Sequence, residues 1–348
     1  MNLCFIRFKL FKAKKLLKYS KMLNHGIALR PEMPVISIIT KDGVSKGYVF
    51  NEMLRSTLQI PYDEIILIDD SDGANTALAV KKFAEENGKK LTVFKSNLYG
   101  YTRATRATAR QTAIDIFLQN YDSGFLIQLD DDVVLRKGWW EEANKLISKP
   151  ATGLFYGMPY GVSTQNKFNE LLKSDIPFRI NEKDIRHFYE RGGTNDIILT
   201  RKSLTKIKES FGIIPPDLHI YEDAWMLRAV KCAGFDVEIG YVGALQFDPI
   251  KNTRTIDSTT FDVDLKHILI ASKYGIIKSA KPFNDALGLF APIIGFLPWI
   301  FKYAPELGFK KGVRVAAKRQ YIKIVYRWVK LSSRRKGCTD LTYKLKTD

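Results

Sequence analysis

Leu126-Ile127-Gln128-Leu129-Asp130-Asp131-Asp132-Val133-Val134 is the stretch on which the reading of this chain turns. A short apolar run of this length predicts a buried β-strand. Three consecutive carboxylates end it. None tolerates burial without a partner, because an unpaired buried carboxylate is strongly disfavoured. The triplet must therefore meet water, a cation or hydrogen-bond donors. In an open α/β sheet, ligands bind beyond the C-terminal ends of the strands. Asp130–Asp132 accordingly reads as a divalent-metal site facing a phosphate-bearing ligand.

Working outward, residues 35–40, 64–70 and 91–95 give three more predicted strands, and residues 49–58, 77–86 and 104–119 give the helices between them. Strands alternating with helices imply right-handed βαβ units and a parallel sheet. The strand at 64–70 also ends in acids, Asp69 and Asp70. In a parallel sheet both acidic ends lie on one edge and can meet around one ligand. Beyond Trp139-Trp140-Glu141 the pattern becomes mixed, with strands expected at 154–160, 196–200 and 237–242 and helices at 202–208 and 221–232.

The 348 residues are 45% hydrophobic and carry a net charge of +18. That charge sits at the ends. Residues 1–30 hold eight Lys and Arg and no acid, and residues 309–348 hold thirteen against Asp340 and Asp348, so the body between is close to neutral. Residues 3–23 mix Phe5, Phe8, Phe11, Leu16, Leu17 and Met22 with seven basic residues, the pattern of a basic amphipathic helix at a membrane surface. Residues 286–301 are uncharged. They are too short to span a bilayer, and Pro292 and Pro298 interrupt them, which predicts an interfacial or re-entrant segment. Ala317, Tyr321, Ile324, Trp328 and Leu331 then recur at helical spacing, with Arg314, Lys318, Arg327 and Lys330 elsewhere on the wheel. The expected organisation is a basic N-terminal helix at 1–32, a catalytic domain at 33–270 and a membrane-associating region at 271–348. Cys4, Cys232 and Cys338 are few, odd in number and widely spaced, which points to unpaired thiols in a reducing compartment.

Four features occur in one order: Val35–Thr40; Ile68-Asp69-Asp70-Ser71-Asp72-Gly73; the triplet, preceded by Asn97, Gly100, Arg103 and Ala109-Arg110; and Tyr221-Glu222-Asp223-Ala224-Trp225 followed by Leu227-Arg228. Over residues 33–248 this resembles the family 2 glycosyltransferases. The resemblance implies the GT-A fold, a mixed, mainly parallel sheet flanked by helices, here with basic amphipathic helices at both ends. It implies an inverting transfer from a nucleotide-diphosphate sugar, plausibly UDP-linked, to an acceptor hydroxyl on a lipid-linked or cell-surface glycan.

By that resemblance Asp130 and Asp132 match the D-x-D motif and hold Mg²⁺ or Mn²⁺, a preference that oxygen-only ligands share. Asp131 contacts ribose or sugar hydroxyls, and Asp70 contacts the base. Thr40, at the end of the first strand, lies in the donor site, and Gly193, in Gly192-Gly193-Thr194-Asn195-Asp196, lines the sugar pocket. Asp223 is the general base, with Glu222 beside it. Arg103, Arg106 and Arg110 can share a helix face. Arg110 matches the family's arginine, and Arg103 is a second diphosphate contact. Where many members carry a downstream His, this chain reads Gly243-Ala244-Leu245-Gln246-Phe247-Asp248, which leaves Gln246 or Asp248 as substitutes. The expected location is the cytoplasmic face of an anionic membrane. The alternative is a nucleic-acid-associated protein, or a glycosyltransferase acting on modified DNA, that uses the basic arms on phosphates. The apolar faces of those arms and the absence of a nucleic-acid motif speak against it.

Overall fold

A computed structural model describes residues 33–162, 165–174, 195–218, 220–247, 258–276, 296–332 and 337–343. The expected helix within 1–32, the loop residues Gly192, Gly193 and Thr194, His219, Asp248 and most of 286–301 lie outside the described residues.

In chain order the elements are β1 (Val35–Thr40), α1 (Tyr48–Ser56), β2 (Glu64–Asp69), α2 (Asn75–Glu86), β3 (Lys90–Phe94), α3 (Arg106–Asn120), β4 (Phe125–Asp130), β5 (Val133–Leu135) and α4 (Trp139–Ile147). They continue with β6 (Thr152–Val162), α5 (Gln165–Lys173), β7 (Asp196–Thr200), α6 (Arg201–Phe211), α7 (Glu222–Cys232) and β8 (Asp236–Phe247). Three helices close the described chain, α8 (Ser258–Lys273), α9 (Phe296–Leu307) and α10 (Phe309–Ser332).

The described strands form one sheet in the order β3-β2-β1-β4-β7-β6-β8-β5. Pairings among β3, β2, β1 and β4 are parallel, as is β6 with β8, whereas β7 and β5 pair antiparallel. The mixed, mainly parallel sheet flanked by helices is therefore present. Its central strands are mainly apolar, apart from the buried Ser37 and Gln128, because both faces are covered. Ile36, Ile38, Ile65, Leu67, Ile127 and Leu129 pack on one side with Val49, Phe50 and Met53 of α1. Ile39, Ile66, Ile68 and Leu126 pack on the other with Ala113, Ile114 and Phe117 of α3.

The register puts the functional ends together. Thr40 lies opposite Asp69, and Ile39 lies opposite Asp130. The two acidic strand ends thus flank the end of β1 on one edge.

Helix α3 starts later than the arginine spacing implies. Thr105 caps it: its hydroxyl accepts from the Thr108 N–H at 3.2 Å, while the Thr105 N–H donates to the Thr108 hydroxyl at 2.7 Å. Arg103 therefore lies before the helix, exposed in a turn, and does not share a face with Arg106 and Arg110. The elements β5, α4, α5 and α8 were not expected from sequence, and α6 and β8 run longer than expected.

Cys232 and Cys338 form a disulfide with Cα atoms 5.7 Å apart, which corrects the expectation of unpaired thiols. The pairing arises because residues 337–343 fold back as a strap over α6 and α7. The Trp225 indole donates to the Leu341 carbonyl at 3.1 Å, Arg228 donates to the Gly337 carbonyl at 3.2 Å, and the Tyr343 N–H donates to the Phe211 carbonyl at 2.8 Å. Spacing in sequence carries no sign of this return. The expected boundary between 270 and 271 falls inside α8.

Helices α9 and α10 pack against each other, and α10 also packs on α8. The α10 residues facing inward include Val315, Ala316 and Val329. The predicted apolar stripe of Ala317, Tyr321, Ile324 and Trp328 faces outward, with Trp328 65% exposed. Leu297 and Phe301 of α9 and Phe309 of α10 are also exposed. Arg319 and Lys323 stack over the Trp299 ring at 4.8 and 5.1 Å. Among the described residues, no helix is long and apolar enough to cross a membrane.

Candidate active site

The triplet leaves β4 at the sheet edge, and each of its acids has partners on this chain. Asp130 is buried and accepts from the Arg110 guanidinium at 2.7 Å. Arg110 is itself fully buried, and its Nε lies 3.6 Å from Glu222. It thereby ties the end of β4 to the first turn of α7. Its placement follows from α3, whose Arg110 carbonyl also accepts from the Gln128 amide at 3.0 Å. Asp131 accepts from the Thr40 hydroxyl at 2.6 Å and from the Lys46 ammonium. Asp132 accepts from the same ammonium at 3.2 Å.

Burial pushes the Asp132 carboxyl up. Lys46 opposes this, and Asp130 and Asp131 add to it. Burial also works against charge on Lys46, but Asp131 and Asp132 outweigh it and hold its pKa above the ordinary lysine value.

Glu222 and Asp223 open α7. Tyr221 caps the helix in a left-handed conformation, with φ 84°, and turns the chain so that both acids stand in the first turn. Acids there are favoured by the helix dipole. Asp223 accepts from the Ala224 N–H at 2.7 Å and remains partly open to solvent. Glu222 is buried. Desolvation first, then Asp223, push its carboxyl well up, while Arg110 and Arg106 pull it back.

Arg106 was grouped with its neighbours by spacing but not singled out. Along part of its side chain it is open to solvent. Burial of the remainder opposes its charge, but Asp130, Glu222, Asp132 and Asp223 together raise its pKa. With Arg110, it is a cation that the triplet and the Glu222-Asp223 pair share.

Asp70, at the end of β2, spends both oxygens on Ser96: Oδ1 accepts the N–H at 3.0 Å and Oδ2 the hydroxyl at 2.6 Å. Gln246 sits opposite Val133 in the β5–β8 pair, and its amide oxygen accepts from Asn195 at 2.8 Å. The Asn195 carbonyl in turn accepts the Asp130 N–H at 3.0 Å.

Behind the triplet lies Asp196, fully buried, accepting from the Trp139 indole at 2.7 Å. Desolvation raises its carboxyl to about 7, with Asp130 adding to the rise and Trp139 and the Gly157 backbone opposing it. Gly157 makes room for this pair, since a Cβ there would stand 2.0 Å from Asp196 Oδ2.

Lys46 and Asp196 were missed from sequence. Lys46 sits in a turn with no periodic pattern. Asp196 stands at the head of a strand where an acid breaks the apolar run, and that was the available signal.

Among the described residues, no three Asp, Glu, His or Cys side chains converge as a metal cluster. Mg²⁺ seldom needs such a cage, since it takes one or two carboxylates, phosphate oxygens and water. Asp132, with a quarter of its side chain exposed, suits that habit. Asp130, held by the buried Arg110, suits it less. The donor set fits a metal that arrives with a diphosphate.

Residues 49–206 match the family described as Glycosyl transferase family 2. The match runs from α1 into α6, across the triplet, and stops before Glu222 and Asp223. The mixed, mainly parallel sheet flanked by helices agrees with what the order of motifs implied. Among solved structures it is similar to S. aureus TarS 1–349, at 14% identity and TM-score 0.45, with 83% of this chain and 91% of that one covered. The complex of the same TarS fragment with UDP-GlcNAc gives 14% identity, TM-score 0.46 and coverage of 83% and 92%. TarS itself gives 16% identity, TM-score 0.45 and coverage of 86% and 55%. No curated protein sequence matches the chain.

Proposed function

We propose that this protein is a glycosyltransferase that inverts the anomeric centre of a UDP-linked sugar, with Asp223 as general base and the acceptor presented at a membrane surface. The observation that carries this reading is the meeting of the two acidic motifs around shared arginines: Arg110 touches both Asp130 and Glu222, and Arg106 feels both motifs.

In the proposed reaction the acceptor oxygen attacks the anomeric carbon and its proton passes to Asp223. The bond from that carbon to the diphosphate oxygen breaks, and the diphosphate leaves with the electron pair. Asp223 suits the base role because it is the partly exposed member of its pair. Glu222, buried against Arg110, positions the helix end. Arg106, partly open to solvent, faces the leaving diphosphate. Asp131 and Thr40 receive ribose or sugar hydroxyls. Asp70 keeps room for a base imide N–H, because two bonds from Ser96 leave carboxylate lone pairs free. A divalent ion, Mg²⁺ or Mn²⁺, held by Asp132 with Asp130 behind it, would neutralise charge growing on the diphosphate. Gly193 keeps its proposed place in the sugar pocket by resemblance alone, and Arg103 is a peripheral contact at most.

Asp223→Asn is expected to lower kcat by about 10²–10⁴-fold and leave donor affinity, read by calorimetry, within a factor of two or so. Full turnover by this variant overturns the assignment.

The membrane proposal rests on Leu297 and Phe301 of α9 and Phe309 and Trp328 of α10, all exposed, and on the many Lys and Arg residues of α10. Each such cation near an anionic surface adds about 1 kcal/mol. The variant F301E/F309E/W328E changes only exposed side chains. It is expected to lose flotation with vesicles containing phosphatidylserine, and equal flotation with the unaltered protein rules out this face as the contact.

A further inference from the structure

We propose that Lys46 is the resident counter-ion of the acidic triplet, and that it couples metal binding to donor binding. In the ligand-free protein its ammonium satisfies Asp131 and Asp132. It gives up those carboxylates when a divalent ion arrives together with a nucleoside diphosphate. The inference rests on the metal-assisted reading of Asp132 proposed above.

Among the described residues, Arg110 and Lys46 touch the triplet, and they differ in freedom. Arg110 has 2% of its side chain exposed and is wedged between Asp130 and Glu222, so it cannot leave. Lys46 has a third of its side chain exposed, which opens a path to solvent. Its flexible four-carbon stem allows the ammonium to move with little backbone change.

The turn Gly43–Lys46 sets where that stem begins. A Cβ at Gly43 would lie 2.7 Å from the Thr40 hydroxyl and 2.8 Å from the Phe50 ring, so only glycine lets the turn sit this tightly on β1. The same Thr40 hydroxyl fixes Asp131 from the other side. The groups facing the ammonium are thus Asp131, Asp132 and Thr40, with Arg106 and Asp130 acting on Asp132 from beyond.

A divalent ion and the Lys46 ammonium compete for the same carboxylate charge and repel one another. Free metal must therefore bind against Lys46. A diphosphate changes the balance, because it offers the displaced ammonium a new anionic partner. Metal and nucleotide then favour each other's binding, and by linkage the coupling is reciprocal.

The test is a Mn²⁺ titration of the full chain followed by electron paramagnetic resonance, with and without UDP. Lys46→Met and Lys46→Gln are expected to bind Mn²⁺ alone at least about tenfold more tightly than the unaltered protein, a difference of about 1.4 kcal/mol. UDP is expected to tighten Mn²⁺ binding about tenfold or more in the unaltered protein and far less in these variants. Lys46→Arg, which keeps the charge, is expected to stay close to the unaltered protein. The melting temperature of the Met variant should fall without metal and recover with Mn²⁺, which loss of packing alone would not produce. The Gln variant keeps a hydrogen-bond donor and carries the comparison should the Met variant not fold. Equal Mn²⁺ affinity of the Gln variant and the unaltered protein without UDP, both lost on Asp132→Ala, overturns the role of Lys46 and leaves the metal reading standing. No Mn²⁺ uptake even with UDP, and UDP binding unchanged by EDTA, overturns the metal reading and this inference with it.

Discussion

Strands β2 and β4 end in acids on the same edge of the sheet, yet their carboxylates are satisfied by different chemistry. Asp69 and Asp70 are held by neutral donors, Ser71 just beyond β2 and Ser96 just beyond β3. Asp130, Asp131 and Asp132 are held largely by cations, Arg110 from α3 and Lys46 from the turn after β1. Neutral donors pin a carboxylate and leave its charge in place. Cations cancel the charge and bind distant elements to it. The β2 end is thus a fixed acceptor, whereas the β4 end is a charge balance that, on the proposal above, an incoming metal–diphosphate rearranges.

The largest expected difference between the two ends is in stability. Arg110→Met leaves Asp130 and Glu222 buried without their shared cation and is expected to cost about 3–5 kcal/mol in urea denaturation. If the loss is under about 1 kcal/mol, the charge-balance picture of the β4 end fails.

A second effect concerns Asp196, behind the triplet. Its carboxyl sits at about 7 in the folded protein against 3.8 ordinarily. Between those values the folded state holds a proton that the unfolded state has released. Stability therefore falls as pH rises through this window, by at most about 1.4 kcal/mol per pH unit from this group. Asp196→Asn is expected to flatten the slope measured by denaturation from pH 4 to pH 7. A remainder persists from Glu222, whose pKa is raised in the same direction. An unchanged slope would mean that Asp196 is not the titrating acid.

The smallest effect is expected at β2. Ser96→Ala removes one neutral hydrogen bond from Asp70 and should cost about 1 kcal/mol, with donor KM moving more than kcat. A loss as large as that of Arg110→Met would erase the contrast between the two strand ends.

Much of this edge was legible in the sequence for a physical reason. Strands 64–69 and 125–130 are buried on both faces, so they are mainly apolar and their acidic C-terminal ends stand out. Asp223 was legible because an acid pair at a helix start is a local pattern. Arg103 was misplaced because spacing of three and four marks a shared face only inside a helix, and Thr105 starts the helix after it. Lys46 lay hidden because its partners are 85 and 86 residues away and no period links them. The short strand β5 was hidden too: Val133–Leu135 makes sense only once it pairs with β8. The Cys232–Cys338 link depends on a return of the chain that composition does not encode.

That link makes the molecule partly a ring. The bridged cysteines are 106 residues apart, and the segment between them holds β8, α8, α9 and α10. A single protease cut anywhere in this segment leaves two fragments that still travel as one on a non-reducing gel and separate only after reduction. Such a nick would leave helix α7 its anchor, because the strap that Trp225 and Arg228 grip stays covalently attached to the last residue of that helix.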